Sequence, residues 1–198
     1  MNYNYIGVGR DDGKKKGEYS PIFYNNSKYK VVFENTFWLS PTPNTISLGW
    51  DASMERICTY GLFKNIETQQ KIWVFNTHFD HRGNQARKKS TDLILETIKS
   101  KKGDNFPVIL TGDFNLEDES LSIKKIQNQM NDVLIDLNKS NKYYGTYNGF
   151  QIENINEKRI DYIFTKDLIQ LKAEHIHLKT PYKGWASDHH PVLAILKL

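Results

Sequence analysis

The chain predicts an α/β layered domain, on three observations. Short apolar runs of strand length recur along most of the sequence. Two stretches with helical apolar spacing are inserted after strand ends. No apolar run approaches the ~20 residues that span a bilayer. At 198 residues the chain is long enough for a single domain, 1–198, with a real core. Apolar (38%) and charged (25%) fractions are those of a globular protein, which sets aside a disordered class.

The N-terminal Met1–Tyr5 has neither a basic nor an apolar targeting region, so no signal peptide is expected here. A cytoplasmic location is expected for the chain as it stands; an export signal lost upstream leaves the native compartment open. The lone Cys58 precludes an internal disulfide and fits a reducing compartment. A net charge of +4 is too mild to identify a nucleic-acid binder, yet it is compatible with a polyanionic substrate.

In order, Tyr5–Arg10 alternates and predicts a short strand. Asp11–Gly17 is a polar loop, and its three lysines read as a solvated tip. Glu18–Tyr24 predicts a strand with an acid at its mouth. Tyr29–Leu39 is a further strand, and Ser40–Gly49, with two prolines, is a loop. Arg56–Phe63 and Lys71–Phe75 predict two strands around a polar, hairpin-sized connection, the second apolar enough to be central. Asn84–Lys102 is the clearest helix, with Ala86, Leu93, Ile94 and Ile98 in register and Gly103 where a cap belongs. Phe106–Leu110 predicts a buried strand. Ser120–Met130 predicts a second helix that Val133–Leu137 continues or packs beside. Two late strands follow, Arg159–Phe164 and Pro191–Leu196, joined by a loop ending in Ala186–His190.

Polar residues with chemical capacity gather at strand ends. The strand before Gly112 stops abruptly, and Asp113 and Asn115 follow two positions apart. In an extended chain both face one spot while Phe114 turns away. The other clusters are Asn76/His78/Asp80/His81, Asp161, and Asp188/His189/His190, with Glu18 a weaker fifth. Each has a structural alternative. His78 could be a satisfied core histidine, Asp161 could pair with Arg159, Asp188 could cap a turn, and His190 could merely precede a proline. Together they suit phosphoester hydrolysis, which needs a cation, a base for water and donors to phosphoryl oxygens. Carboxylates and an asparagine favour a hard ion such as magnesium. A zinc site of His78, Asp80 and His81, or of the adjacent His189 and His190, is a rival, the second weakened because adjacent residues on a strand point apart. No Gly-x-Ser-x-Gly elbow and no Gly-x-x-x-x-Gly-Lys-[Ser/Thr] loop is present, which disfavours a serine hydrolase and a P-loop enzyme.

Asn76-Thr77-His78, Gly112-Asp113-Phe114-Asn115, Arg159-Ile160-Asp161-Tyr162-Ile163-Phe164 and Ser187-Asp188-His189-His190-Pro191 occur in a fixed order. In this the chain resembles the endonuclease/exonuclease/phosphatase superfamily. Gly17–Tyr24, Gly49–Ala52 and His78–Gly83 are similar to its bacterial branch. The resemblance covers nearly the whole chain. It implies a deoxyribonuclease I-like fold: two β-sheets packed as a sandwich, flanked by helices, with the site at one end. It also implies a phosphoester hydrolase (nuclease, phosphodiesterase or phosphatase) using Mg2+ or Mn2+ to assist attack of water.

Carried over by motif, His189 is the general base, oriented by Asp161. His78 donates to the phosphate with Glu18 as its carboxylate partner. Asp113 positions water or the leaving group. Asn115 holds phosphate or metal, Asp188 is a metal ligand, and Arg56 contacts a substrate phosphate or forms a structural salt bridge. The implied partner is a phosphate ester: nucleic acid, phospholipid headgroup or sugar phosphate. A monomer is expected. One departure stands out. The family begins with a strand ending in asparagine, a helix, and a strand ending in Gln-Glu, whose glutamate binds metal. This chain starts after that point, so it is expected to lack the first strand-helix-strand, with Asp51 or Glu55 as stand-ins. The alternative function is therefore a non-catalytic remnant that binds phosphate or a partner without turnover. Substrate choice is expected to sit in loops Asp11–Gly17, Ser40–Gly49 and Tyr143–Lys158, where Tyr143, Tyr144, Tyr147 and Phe150 stack on bases or sugars or pack over the site.

Overall fold

A computed structural model describes residues 2–101, 105–137, 139, 141, 144–151, 158–177, 179–180 and 184–198. The strands are β1 (Tyr3–Ile6), β2 (Ile22–Asn25), β3 (Tyr29–Trp38), β4 (Ile57–Asn65), β5 (Lys71–His78), β6 (Val108–Asp113), β7 (Asn131–Asp132), β8 (Asp161–Lys166), β9 (Ile169–His175) and β10 (Val192–Lys197). The helices are α1 (Asn84–Ser100) and α2 (Leu121–Gln127). Six strands form one sheet in the order β3-β4-β5-β6-β8-β7. Only the β5/β6 pair in it is parallel, and α1 makes that crossover. β1-β2 and β10-β9 form two antiparallel pairs.

Both faces of the six-stranded sheet are covered, as the unbroken burial of β4 from Ile57 to Phe63 requires. On one face Tyr60, Phe75, Leu110 and Phe164 pack against Ile94, Leu95 and Ile98 of α1 and Ile123 and Ile126 of α2. On the other, Phe63, Ile72, Val74 and Ile109 meet Ile6, Ile22, Tyr24 and Leu198. Each fully buried side chain of this size contributes roughly 1.5–3 kcal/mol, so the cores hold the sheet rigid beneath its ends. The architecture is the expected sandwich flanked by helices.

Local departures have local causes. β1 ends where Gly7 takes φ 122°, so the first strand covers Tyr3–Ile6 rather than Tyr5–Arg10. Glu18 to Pro21 lie before β2 rather than in it. α2 stops at Gln127, and Val133–Leu137 neither continues it nor forms another helix. Asp132 is drawn into the interior by Arg159, and the chain pairs briefly as β7 before turning. β9 escaped prediction because Ile169–His175 mixes polar and apolar residues and is exposed over Ile169–Lys172. Gly103 and Lys102 lie outside the described residues.

Candidate active site

The site is built by strand register. His78 is paired with Asp113 across β5/β6, and Asp113 with Asp161 across β6/β8. Three candidate side chains therefore occupy one rung at the end of the sheet, and a one-residue slip of any strand would turn its residue away. The rung closes tightly at Gly112, where a Cβ would lie 2.1 Å from the Thr77 carbonyl oxygen. Only glycine permits that approach.

Beyond Asp113 the chain does not run on extended. Asn115 takes φ 49°, and its main-chain N–H donates to Asp113 Oδ1 at 2.8 Å. Phe114 still points into the core, fully buried. The Asn115 amide nitrogen donates to the Phe79 carbonyl at 3.0 Å, which turns its oxygen away from that carbonyl.

His78 sits between two carboxylates. Nδ1 lies 2.7 Å from Glu18 Oε1 and Nε2 lies 3.2 Å from Asp113 Oδ2. With an acceptor on each nitrogen the ring is an imidazolium. Burial alone would lower its pKa, but the bonds to Asp113 and Glu18 outweigh burial and raise it to about 9. The His78 bond in turn brings Glu18, despite its burial, down to about 2. The charged His78 contributes stability in full below its ordinary value of 6.5, and that contribution is lost as pH rises through about 9. Glu18→Gln is expected to move the His78 titration to lower pH, as followed by ring-proton NMR. An unmoved titration would show that Asp113 alone sets it. Glu18 is held in place by Arg10, whose Nη1 donates to Oε2 at 2.8 Å and whose N–H donates to the Glu18 carbonyl at 3.1 Å.

On the far side of the rung, His189 Nδ1 is 2.7 Å from Asp161 Oδ2. That bond raises the His189 pKa above its ordinary value, against the opposing effect of burial. The Asp161 strand is anchored by Thr146, whose hydroxyl accepts from Ile160 N–H at 3.0 Å and Asp161 N–H at 3.1 Å. Asp161 does not pair with Arg159, which is buried and bonded to Asp132.

Arg56 is buried at the cleft floor. Its Nε is 3.7 Å from Asp80 Oδ2 and its Nη2 is 3.3 Å from His81 Nδ1, while Nη1 has no hydrogen-bond partner among the described residues. Asp80 is structural. It accepts from Ser53 N–H and Oγ and from the Arg82 and Gly83 N–H groups, at 2.7–3.0 Å. Burial opposes its ionisation, and these bonds override burial to hold its carboxyl far below the usual range. A zinc site of His78, Asp80 and His81 is thus not assembled. Nor is one of adjacent histidines, because His190 is buried with its ring 4.0 Å from His177 and 4.6 Å from Trp185. Burial pushes His190 down to about 4.

Among the described residues, one group of acids and histidines suits a metal ion: Asp113, Asp161 and His189, with ligand atoms within 4.8 Å of one another. Asp188 is outside it. Its carbonyl accepts from Asn148 and Gly149 N–H, and its Oδ1 from Ser187 Oγ at 3.2 Å. Asp51 is no substitute ligand, because its carboxylate accepts from Ala86 and Gln85 N–H at 2.6 and 3.1 Å and caps α1. Glu55 joins no such group either.

His78, Asp113 and His189 line a cleft of about 600 Å³ whose walls include Arg56, His81 and Asn115. Leu116, Glu117, Tyr147, Lys158 and Ile160 extend it. Sequence reasoning gave no role to Glu117, which no motif marks, and reached Lys158 only as the end of a loop expected to set substrate choice. Tyr144 is buried and packs, whereas Tyr147 is 40% exposed with its ring 5.2 Å from that of His189.

Comparison with known proteins gives a consistent picture. A mannosyl-6-phosphatase from Bacteroides thetaiotaomicron is 38% identical over the whole of this chain and 78% of its own, with a TM-score of 0.89. An endonuclease/exonuclease/phosphatase from Bacteroides vulgatus is 37% identical over the whole chain and 77% of its own, TM-score 0.84. An uncharacterized protein of Acanthamoeba polyphaga mimivirus is 33% identical over 123 residues, 61% of this chain, and the match spans only 46% of that relative. The model of the Endonuclease/Exonuclease/phosphatase family matches residues 12–189, and with the ordered rung at its centre the chain belongs to that family.

Proposed function

We propose that the chain is a divalent-metal-dependent phosphoester hydrolase whose preferred substrate is a sugar phosphate monoester. The rung His78–Asp113–Asp161 with His189 beside it carries the reading, because it puts a cation, carboxylates and a base within one cleft. His189 takes the proton from the attacking water through Nε2, since Nδ1 is committed to Asp161. Arg56 donates to the phosphoryl oxygens through Nη1, and the His78 imidazolium, its two N–H groups held by Glu18 and Asp113, attracts them by charge. Two fixed positive groups match a dianionic monoester.

The donor set fits a hard cation: two carboxylates and an amide oxygen. Asp113, Asp161 and Asn115 would hold magnesium or manganese, with Asp188 adding charge from outside. Such an ion, when bound, offsets the negative charge that develops on the phosphoryl oxygens. The sugar assignment is supported by the 38% identity to a mannosyl-6-phosphatase.

The test is phosphate release from a panel of hexose phosphates, a phosphodiester and a phospholipid headgroup analogue. Chelation is expected to lower turnover by about 10²-fold or more, and Mg2+ or Mn2+ to restore it. Asp113→Ala is expected to lose activity to a similar degree. Turnover indifferent to chelator and to Asp113→Ala would defeat the reading, and phosphate binding without turnover would establish the remnant instead.

A further inference from the structure

We infer that His81 is a catalytic residue of this site: its Nε2–H donates to the ester oxygen that leaves phosphorus, at the end of the cleft opposite His189. The inference rests on the hydrolase reading above and assigns a role to a residue which that reading leaves without one.

The sheet fixes the two ends. Along the rung the strands run β4, β5, β6, β8. Arg56 directly precedes β4, and His189 is bonded to Asp161 at the start of β8. Neighbouring strands are about 4.8 Å apart, so roughly 14 Å separates these ends. A phosphoryl group beside His78 and Asp113 lies between them. In phosphoryl transfer the entering and leaving oxygens stand in line across phosphorus. Water activated by His189 therefore enters from the β8 end. The ester oxygen departs towards Arg56 and His81, which line the same cleft.

Hydrogen bonding leaves His81 as the donor at that end. Both nitrogens of His78 are held, by Glu18 and by Asp113. Arg56 Nη2 is 3.3 Å from His81 Nδ1. A guanidinium N–H only donates, so Nδ1 accepts and the ring's proton sits on Nε2. Nε2 has no partner among the described residues. Arg56 is buried at the cleft floor and His81 is exposed above it, so Nε2–H is presented to the cleft. The ring is carried on a fixed turn, because the Asp80 carboxylate accepts from the Arg82 and Gly83 N–H groups and from Ser53. An N–H held in this way needs no reorganisation as charge develops on an oxygen in front of it.

In the step, the water oxygen bonds to phosphorus and its proton passes to His189 Nε2. The P–O ester bond breaks with its electron pair on the ester oxygen. That oxygen leaves hydrogen-bonded to His81 and takes a proton from solvent, while His81 keeps its own. The help is greatest for an alkoxide, whose charge is localised, and small for a nitrophenolate, which spreads its charge over the ring.

The experiment compares kcat/KM for ethyl phosphate and for 4-nitrophenyl phosphate, with Mg2+, in wild type, His81→Ala and His81→Gln. The ratio of the alkyl to the aryl value is expected to fall by about tenfold or more in His81→Ala, and to recover in part in His81→Gln, whose amide keeps a donor. A loosened Arg56 alone lowers both values alike and leaves the ratio unchanged. Nitrogen-proton NMR of the wild-type imidazoles reads the His81 proton without turnover, and places it on Nε2. A ratio within about threefold of wild type in His81→Ala, or a proton found on Nδ1, overturns the inference while leaving the hydrolase reading in place. A wild type that turns over neither ester nor any hexose phosphate overturns both.

Discussion

His189→Gln is expected to lower kcat on a phosphate monoester by about 10²- to 10⁴-fold while leaving thermal unfolding nearly unchanged. The side chain is partly exposed at the cleft, so its loss opens no core cavity. Its value is in its protonation. The Asp161 bond raises its pKa above the ordinary 6.5, so the ring becomes a neutral base only at somewhat higher pH. The acid limb of the kcat/KM profile therefore lies above pH 6.5. Asp161→Asn removes the charge that stabilises the imidazolium, which moves this limb to lower pH and loosens the ring. The alkaline limb follows His78, which must stay cationic and deprotonates near pH 9. Rates from pH 5 to 10 on the wild type and both variants check this. A His189→Gln enzyme within tenfold of wild type would place the base elsewhere.

Legibility in the sequence followed the range of the forces involved. Apolar periodicity is local, so the strand at Lys71, the strand ending at Gly112 and helix α1 were readable from their own residues. Motif order carried His78, Asp113, Asp161 and His189; strand register brings the first three together and the bond to Asp161 holds the fourth. What escaped depends on partners far along the chain. Asp51 caps a helix 35 residues away, and Asp80 is spent on Ser53 and Arg56. Asn115 turns left-handed because Phe114 enters the core while its own amide reaches back to Phe79. β9 has too little one-sided burial to show a period of two. Glu117 reaches the cleft only through a loop and belongs to no motif, whereas Tyr147 was legible as one of four loop aromatics expected at the site.

Arg159→Met is expected to destabilise the fold by about 3–5 kcal/mol. Arg159 lies under the site, 1% exposed, bonded through Nη2 to Asp132 and through Nη1 to the Leu134 carbonyl at 3.2 Å. Its guanidinium is also 4.5 Å from the centre of the Tyr162 ring. The Asp132 side chain is 0% exposed and has Gln127 and the Leu134 N–H as further donors. Removing the arginine leaves that carboxylate buried without its countercharge, and two hydrogen bonds do not replace a guanidinium. The effect reaches the site, because Arg159 precedes Asp161 by two residues and its carbonyl accepts from Tyr162 Oη at 2.8 Å. Urea unfolding read by tryptophan fluorescence measures the loss. A double-mutant cycle with Asp132→Leu separates its origin. If the cost is the stranded charge, the double variant recovers most of the stability, since an apolar pair of similar volume suits the same cavity. If the double variant is as unstable as the single, the arginine acts through packing on Tyr162, and the β7/β8 contact is held by shape rather than by charge.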